Sequence, residues 1–539
     1  MTGNLQGSGV HTIEIVFLLL LLFVVVFGTL ARKLKTPYPI VLVIGGLLLS
    51  FIPGIPKITL NPDVIFLVVL PPLLFSAAWL TSWREFTHNL VSILFLAVGL
   101  VSFTVLGVAQ AAHWFLPGFN WRIGFVLGAV VAPTDAIAAT SIAKRIGLPK
   151  RIVDILEGES LVNDATALLA LEFGLAMIAG GQTPTLSSGL LRLVYLTGFG
   201  ILVGLVIGEI VHRIEHLVDD GPIEIALSIL TPYAAYLAAE SLNASGVLAT
   251  VACGLYLGRK SSHFFSPSVR LQAGAVWDSL TFVLNGLVFV LIGLQLPYIL
   301  EAIRGHSLIR VLIYGALFSA LLILLRLIWV FPGTYLANFI RRKVFHQTEK
   351  LPSFRQIFVV GWTGMRGVIS LAAAIALPQT LSNGEAFGQR NSIIFLAFSV
   401  ILVTLVLQGL TLSPLIRALG IAGTAGTNAE EREARRAILE AALRHLDQGE
   451  KEDRPEFAGV YNDLAQHYRQ RLANLSDDRN RTDSDAGADP YKRYIHLSQE
   501  MIRVERQAAA QLRGEGRIDD ELLRRIEREL DLGETRLLL

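Results

Sequence analysis

Ser160, Asn163 and Asp164 stand at i, i+3 and i+4 of one apolar stretch, so a helix carries all three on a single face. That face offers a hydroxyl, an amide and a carboxylate. All are hard oxygen donors, which suit a small hard cation and not a soft metal. A second apolar stretch contains Ala132-Pro133-Thr134-Asp135. Proline removes a backbone donor and clashes with the preceding turn, so carbonyls freed there, together with Thr134, can complete an oxygen shell. Glu159 lies one turn before Asn163, and two anions as close as Glu159 and Asp164 call for a compensating cation. Arg326 interrupts a run of leucines, and Arg366 sits in the glycine-rich Gly361-Trp362-Thr363-Gly364-Met365-Arg366-Gly367. A guanidinium stays charged when buried. Arg326 is the natural partner for Glu159, although spacing alone does not decide between it and Arg366. Such a pair is structural and leaves Asp164 free to bind and release ions. Hydrogen-bonding glue between helices accounts equally well for Ser160 and Asn163. It does not account for Asp164, because a charge at membrane depth costs at least ~2.5–3.5 kcal/mol on insertion scales.

The elements that must position these groups are membrane helices. Of 539 residues, 53% are hydrophobic and 17% charged, and the mean hydropathy is +0.55; a soluble domain carries about 25% charged residues. The charge is concentrated at one end: 20 of the 46 Lys and Arg and 25 of the 44 Asp and Glu lie between Asn428 and Leu539. The chain therefore divides into a transmembrane domain, 1–422, and a charged helical tail, 423–539. A net charge of +2 gives no sign of nucleic-acid binding. The single cysteine, Cys253, excludes a disulfide framework and a thiolate metal site. No basic region precedes the first apolar stretch, which reads as a retained span.

With about 20 apolar residues per crossing, thirteen spans are expected, roughly 12–31, 39–55, 64–80, 89–116, 121–142, 158–180, 188–211, 223–241, 245–258, 271–297, 307–340, 355–378 and 392–418. Basic residues alternate across them. Arg32, Lys33, Lys35, Arg84, Lys144, Arg145, Lys150, Arg151, Arg213, Arg259, Lys260, Arg270, Arg341, Arg342, Lys343, Lys350 and Arg355 fall on one side; only Lys57, Arg122, Arg192, Arg304 and Arg390 fall on the other. The positive-inside rule then puts the N-terminus outside and the tail in the cytoplasm. If spans 1–6 and 8–13 are repeats joined by span 7, the interrupted fifth and twelfth spans occupy the same place in each, and the second repeat is inverted. Paired interruptions of this kind point to a transporter binding site.

These residues resemble the cation/proton antiporter family, in its sodium/proton exchanger branch. Gly158-Glu159-Ser160-Leu161-Val162-Asn163-Asp164 is similar to that branch's span-6 signature, and Ala132-Pro133-Thr134-Asp135 to its first broken helix. Gly364-Met365-Arg366-Gly367 is similar to the second broken helix. Val69-Leu70-Pro71-Pro72-Leu73-Leu74-Phe75 is similar to the span-3 segment associated with amiloride sensitivity in animal exchangers, but Phe75-Ser76 departs from it where those proteins have an acidic residue nearby. The likeness covers roughly residues 12–420. It implies an all-α inverted-repeat fold with crossed broken helices, a homodimer in the plasma membrane, and an elevator-like motion of a core against a dimerisation domain. It implies that Asp164 exchanges sodium and protons, with Asp135, Thr134, Ser160 and Asn163 around it, and that Glu159 and Arg326 form the buried pair. Asn163-Asp164 replaces the two aspartates of electrogenic relatives, which implies electroneutral exchange. No cofactor is called for; sodium and protons are the cargo.

Rival readings are weaker. Asp135 and Asp164 could form an intramembrane aspartyl-protease dyad, but the Gly-x-Gly-Asp signature is absent. A channel would show a repeated filter loop or a ring of like residues. Potassium/proton exchange stays open, since oxygen donors do not set ion size. In the tail, 429–447 reads as a helix with the apolar stripe Ile438, Leu439, Ala442, Leu443 and Leu446. Further helices are expected over 456–474, 491–513 and 518–532, with Ser476–Pro490 as a polar linker. A solvated helical bundle satisfies this pattern, and a regulatory domain is the functional alternative.

Overall fold

The structure is a computed structural model that describes residues 6–52, 60–179, 186–218, 220–302, 307–346, 351–380, 386–421, 425–477, 490–515, 517 and 520–538. Lys57, Arg304, Lys350 and most of the Ser476–Pro490 linker lie outside the described residues. The chain forms two compact units, Met1–Thr424 and Ala425–Leu539.

The first unit is a set of helices: α1 (Gln6–Lys33), α2 (Tyr38–Leu49), α3 (Pro62–Leu80), α4 (Trp83–Phe115), α5 (Trp121–Val131), α6 (Ala136–Ile146), α7 (Lys150–Ile178), α8 (Leu186–Glu215), α9 (Gly221–Ser241), α10 (Gly246–Phe264), α11 (Pro267–Leu294), α12 (Leu296–Ala302), α13 (Leu308–Val344), α14 (Phe354–Trp362), α15 (Val368–Ile375) and α16 (Arg390–Ala418). Among the described residues, ten helical stretches are long and apolar enough to cross a membrane. The other three expected spans coincide with the 12-residue α2, with α10, and with the pair of half-helices α14 and α15.

Local chemistry starts these helices where hydrogen-bonding side chains stand. Asn120 accepts from the Ile123 N–H at 2.9 Å to open α5. Ser353 and Gln356 form a capping box at the start of α14. One expectation needs correction: the helix bearing the 158–164 motif starts at Lys150, not near 158. Lys150, Arg151, Asp154 and Glu157 end the apolar run without ending the helix, and Arg151 is held by Asn89 at 3.3 Å. Glu159, Asn163 and Asp164 are consequently mid-helix and buried.

Close backbone approach sets the packing in two places. A Cβ on Gly204 of α8 would meet the Ala249 backbone of α10, and one on Gly293 of α11 would meet Val43 O and Leu47 N of α2. Small residues of this kind let membrane helices pack without a hydrophobic driving force. The main core lies where α15 packs on the first half of α16 and both pack on α5, with Val130, Leu371 and Ile401 fully buried.

In the second unit, α17 (Ala425–Glu452) packs on α18 (Ala458–Asp477), and α19 (Pro490–Gly514) on α20 (Asp520–Leu538). Arg506 ties the latter pair to Asp531 at 2.6 Å and to Glu534 at 3.0 Å. Leu439 is buried, whereas Ile438, expected in the same stripe, is exposed. Adjacent helix positions lie about 100° apart, so only one of the two faces α18.

The Gly204 contact yields a paired test. Gly204→Ala should lower the melting temperature in detergent, since overpacking costs about 1–3 kcal/mol. Gly198→Ala, on the same helix with nothing within 4 Å of its Cβ, should leave it unchanged or raise it slightly.

Candidate ion-exchange site

The first chain break runs from Ala132 to Asp135, between α5 and α6. Asp135 opens α6: its Oδ1 accepts the Ile137 N–H at 2.7 Å. The backbone N–H of Asp135 donates to Met365 O at 2.8 Å, inside the second break between α14 and α15. A Cβ on Gly367 would overlap the Asp135 carboxylate. The two breaks therefore touch, and glycine at 367 permits the approach.

Each break leaves backbone carbonyls without helical partners at the end of its first half-helix, and hydrocarbon offers no water to satisfy them. Both ends are closed by arginine. Arg366 Nε donates to Val131 O, the last residue of α5, at 3.2 Å, and its Nη1 donates to Gly364 O. Arg326 Nε and Nη2 donate to Val360 O near the end of α14 at 3.3 and 3.2 Å. A cation at a helix C-terminus is also favoured by the helix dipole. The Asp135 carboxylate, in turn, lies against the start of α15, where the dipole favours an anion.

Arg326 has a second task. It forks onto Glu159, Nη1 to Oε1 at 2.5 Å and Nη2 to Oε2 at 2.9 Å. Both side chains are at most 2% exposed. The Thr134 hydroxyl donates to Glu159 Oε1 at 3.0 Å and accepts from Asn163 Nδ2 at 2.6 Å. A buried chain of polar groups thus runs Arg326–Glu159–Thr134–Asn163 and clips α13, α7 and the first break together.

Beside this chain is a cavity of about 260 Å³. Thr134, Asp135, Ser160 and Asp164 line it, so four of the five expected ion ligands share one space. Asn163, the fifth, faces Thr134 and is not among the lining residues; Glu159, Arg326 and Arg366 are also outside it. Ser160 Oγ accepts the Ala136 N–H at 3.3 Å, anchoring α6 to α7. No hydrogen bond from the described residues reaches the Asp164 carboxylate, although it is only 3% exposed. No Lys, Arg or His lines the cavity among the described residues. A space lined by the carboxylates of Asp135, Glu157 and Asp164 and by several hydroxyls, with no basic side chain among the described residues, is suited to a cation or a proton.

The cavity has polar lining that sequence reasoning missed. Asn285 and Thr281 reach it from α11, Ser76 from α3 and Ser370 from α15. Thr281 and Asn285 are spaced i, i+4 on an apolar helix, a signal that could have been used. Ser76 and Ser370 give no such signal, because an isolated serine is common in membrane helices.

Comparison with known proteins agrees with this architecture. A family model described as "Sodium/hydrogen exchanger, transmembrane" matches residues 18–418. An uncharacterized Na(+)/H(+) exchanger of Mycobacterium tuberculosis is 35% identical over 535 residues, 97% of this chain and 96% of its own length. A sodium, potassium, lithium and rubidium/H(+) antiporter of Bacillus pumilus is 31% identical over 498 residues, 90% of this chain and 71% of its own. The solved structure of the sodium proton antiporter MjNhaP1 from Methanocaldococcus jannaschii superposes with a TM-score of 0.56 at 19% identity, over 76% of this chain and 99% of that one.

The buried pair makes a prediction about stability. Removing one partner leaves an uncompensated buried charge, at about 3–5 kcal/mol. Glu159→Ala and Arg326→Ala should each lower the melting temperature in detergent by far more than Arg192→Ala, whose ion pair with Glu172 is exposed. Single variants of the buried pair that melt with wild type would show that it does not hold the fold.

Proposed function

The chain belongs to the sodium/hydrogen exchanger family, and on that premise we propose that it is an antiporter that exchanges one sodium or lithium ion for one proton at Asp164. What supports this is a single cavity in which the Asp164 carboxylate lies beside Asp135, Ser160 and Thr134, with no hydrogen bond to it and no basic side chain in the lining among the described residues. Sodium and a proton compete for that carboxylate. Either one neutralises it, and only a neutralised site crosses the bilayer at low cost. One positive charge then moves each way, so the cycle is electroneutral.

Thirteen crossings arranged as two inverted six-helix repeats put the two breaks at equivalent places; their backbone contact through Asp135 and Met365 supports that crossing. The distribution of basic residues supports an external N-terminus and a cytoplasmic tail in the plasma membrane. A homodimer and a regulatory role for the tail complete it. The relatives are transporters, which weighs against the protease reading. A second cargo stands beside sodium: the Bacillus pumilus relative is named for potassium and rubidium as well, and the oxygen donors here do not set ion size.

Proton flux in proteoliposomes, with sodium, lithium and potassium offered in turn, tests the reading. Asp164→Asn should abolish exchange and leave the protein folded, because an amide neither releases a proton nor balances a cation. Normal sodium-driven flux in that variant would defeat the site assignment. Wild-type exchange should not respond to a valinomycin-imposed potential, since an electrogenic cycle would gain or lose ~2.3 kcal/mol per charge per 100 mV. As pH falls, protons occupy Asp164 and more sodium is needed to displace them, so the apparent sodium affinity should weaken. An affinity independent of pH would place the proton on another residue.

A further inference from the structure

Ser370 lies in the first turn of α15, immediately beyond the second break, and lines the same cavity as Asp164 and Asp135. It is 1% exposed, and its Oγ has no hydrogen-bond partner among the described residues. That is unusual in this protein. A hydroxyl in an apolar helix ordinarily bonds the carbonyl four residues back. Ser319 does so to Gly315 at 2.7 Å, Ser399 to Phe395 at 2.9 Å, and Thr404 to Val400 at 2.8 Å. The residue four before Ser370 is Arg366, which lies in the break, where the chain is not helical. The break therefore removes the usual acceptor and leaves the hydroxyl free. An orphaned polar group in a membrane protein is costly unless something satisfies it. The space before it holds the carboxylates of Asp135, Glu157 and Asp164 and several hydroxyls among apolar side chains, with no basic side chain among the described residues.

We propose that the Ser370 hydroxyl is a ligand of the transported cation, supplied by the second chain break to a shell whose other donors come from the first break and α7. The inference rests on the reading of this cavity as the exchange site. It divides the shell between the two broken helices, so the ion joins them while it is bound. Asp164 supplies the charge and exchanges with the proton, whereas Ser370 contributes an oxygen that affects cation affinity and not proton affinity.

The test is steady-state sodium-driven proton flux in proteoliposomes for wild type, Asp164→Asn, Ser370→Ala and Ser370→Thr, with sodium, lithium and potassium as cargo. Loss of one ligand to a cation should raise the apparent KM for sodium roughly ten- to a hundred-fold. The maximal rate at saturating sodium should stay within about two-fold, because proton release at Asp164 is intact. The ranking of the three cations should change. Ser370→Thr retains a hydroxyl and should restore the affinity. The melting temperature of Ser370→Ala should not fall, since no hydrogen bond is lost; a purely structural role would move it and not the cation ranking. An unchanged KM and ranking in Ser370→Ala, with Asp164→Asn inactive, would overturn the assignment of Ser370 and leave the exchange site standing. Active Asp164→Asn would overturn both.

Discussion

Val131 and Val360 stand at the ends of two half-helices inside the apolar unit, and their carbonyls are held by Arg366 and Arg326. A helix interrupted in hydrocarbon loses hydrogen bonds that water cannot replace. Breaking two of them is tolerable only if other groups take up the loose ends. Here the two guanidiniums do so at the C-terminal ends and Asp135 does so at the start of α6, while its carboxylate also lies against the start of α15. Each break thereby supplies a charge that serves the other half-helix: Arg366 of the second closes α5, and Asp135 of the first lies at α15.

That use of charge decides what is left for ions. Arg326 is engaged by Glu159 and Val360, the Thr134 hydroxyl and Asn163 Nδ2 by the chain that continues from them, and one Asp135 oxygen by Ile137. Among Asp135, Glu159 and Asp164, only the Asp164 carboxylate has no such engagement with the described residues. It sits on an unbroken helix that the Glu159–Arg326 pair ties to α13. A binding group must be held within a fraction of an ångström by its supporting residues to act reliably; here the support is an ion pair and a threonine one turn away.

Much of this was legible in the sequence. Pro133 and the glycines around Arg366 announced the breaks, and the i, i+3, i+4 spacing of Ser160, Asn163 and Asp164 placed them on one helix. Asn163 shares that helix and bonds the Thr134 hydroxyl, a contact that spacing alone does not reveal. The choice between Arg326 and Arg366 as partner of Glu159 could not be read from spacing, because 167 positions separate Glu159 from Arg326 and tertiary packing alone brings them together. The start of α7 was hidden by charges that end an apolar window without ending a helix. Ser370 was hidden for a different reason. A serine in an apolar run normally bonds its own helix, and only the exact end of the break reveals that its acceptor is missing.

Competition of sodium and a proton for one carboxylate is the central claim, and proton release on sodium binding measures it most directly. Purified protein in detergent at neutral pH, titrated with sodium in weakly buffered solution, should release protons in proportion to sodium bound, approaching one per ion as the pH is lowered so that Asp164 begins protonated. Asp164→Asn should release none. Sodium binding to wild type without proton release at any pH would contradict the account, because cation and proton would then occupy different groups.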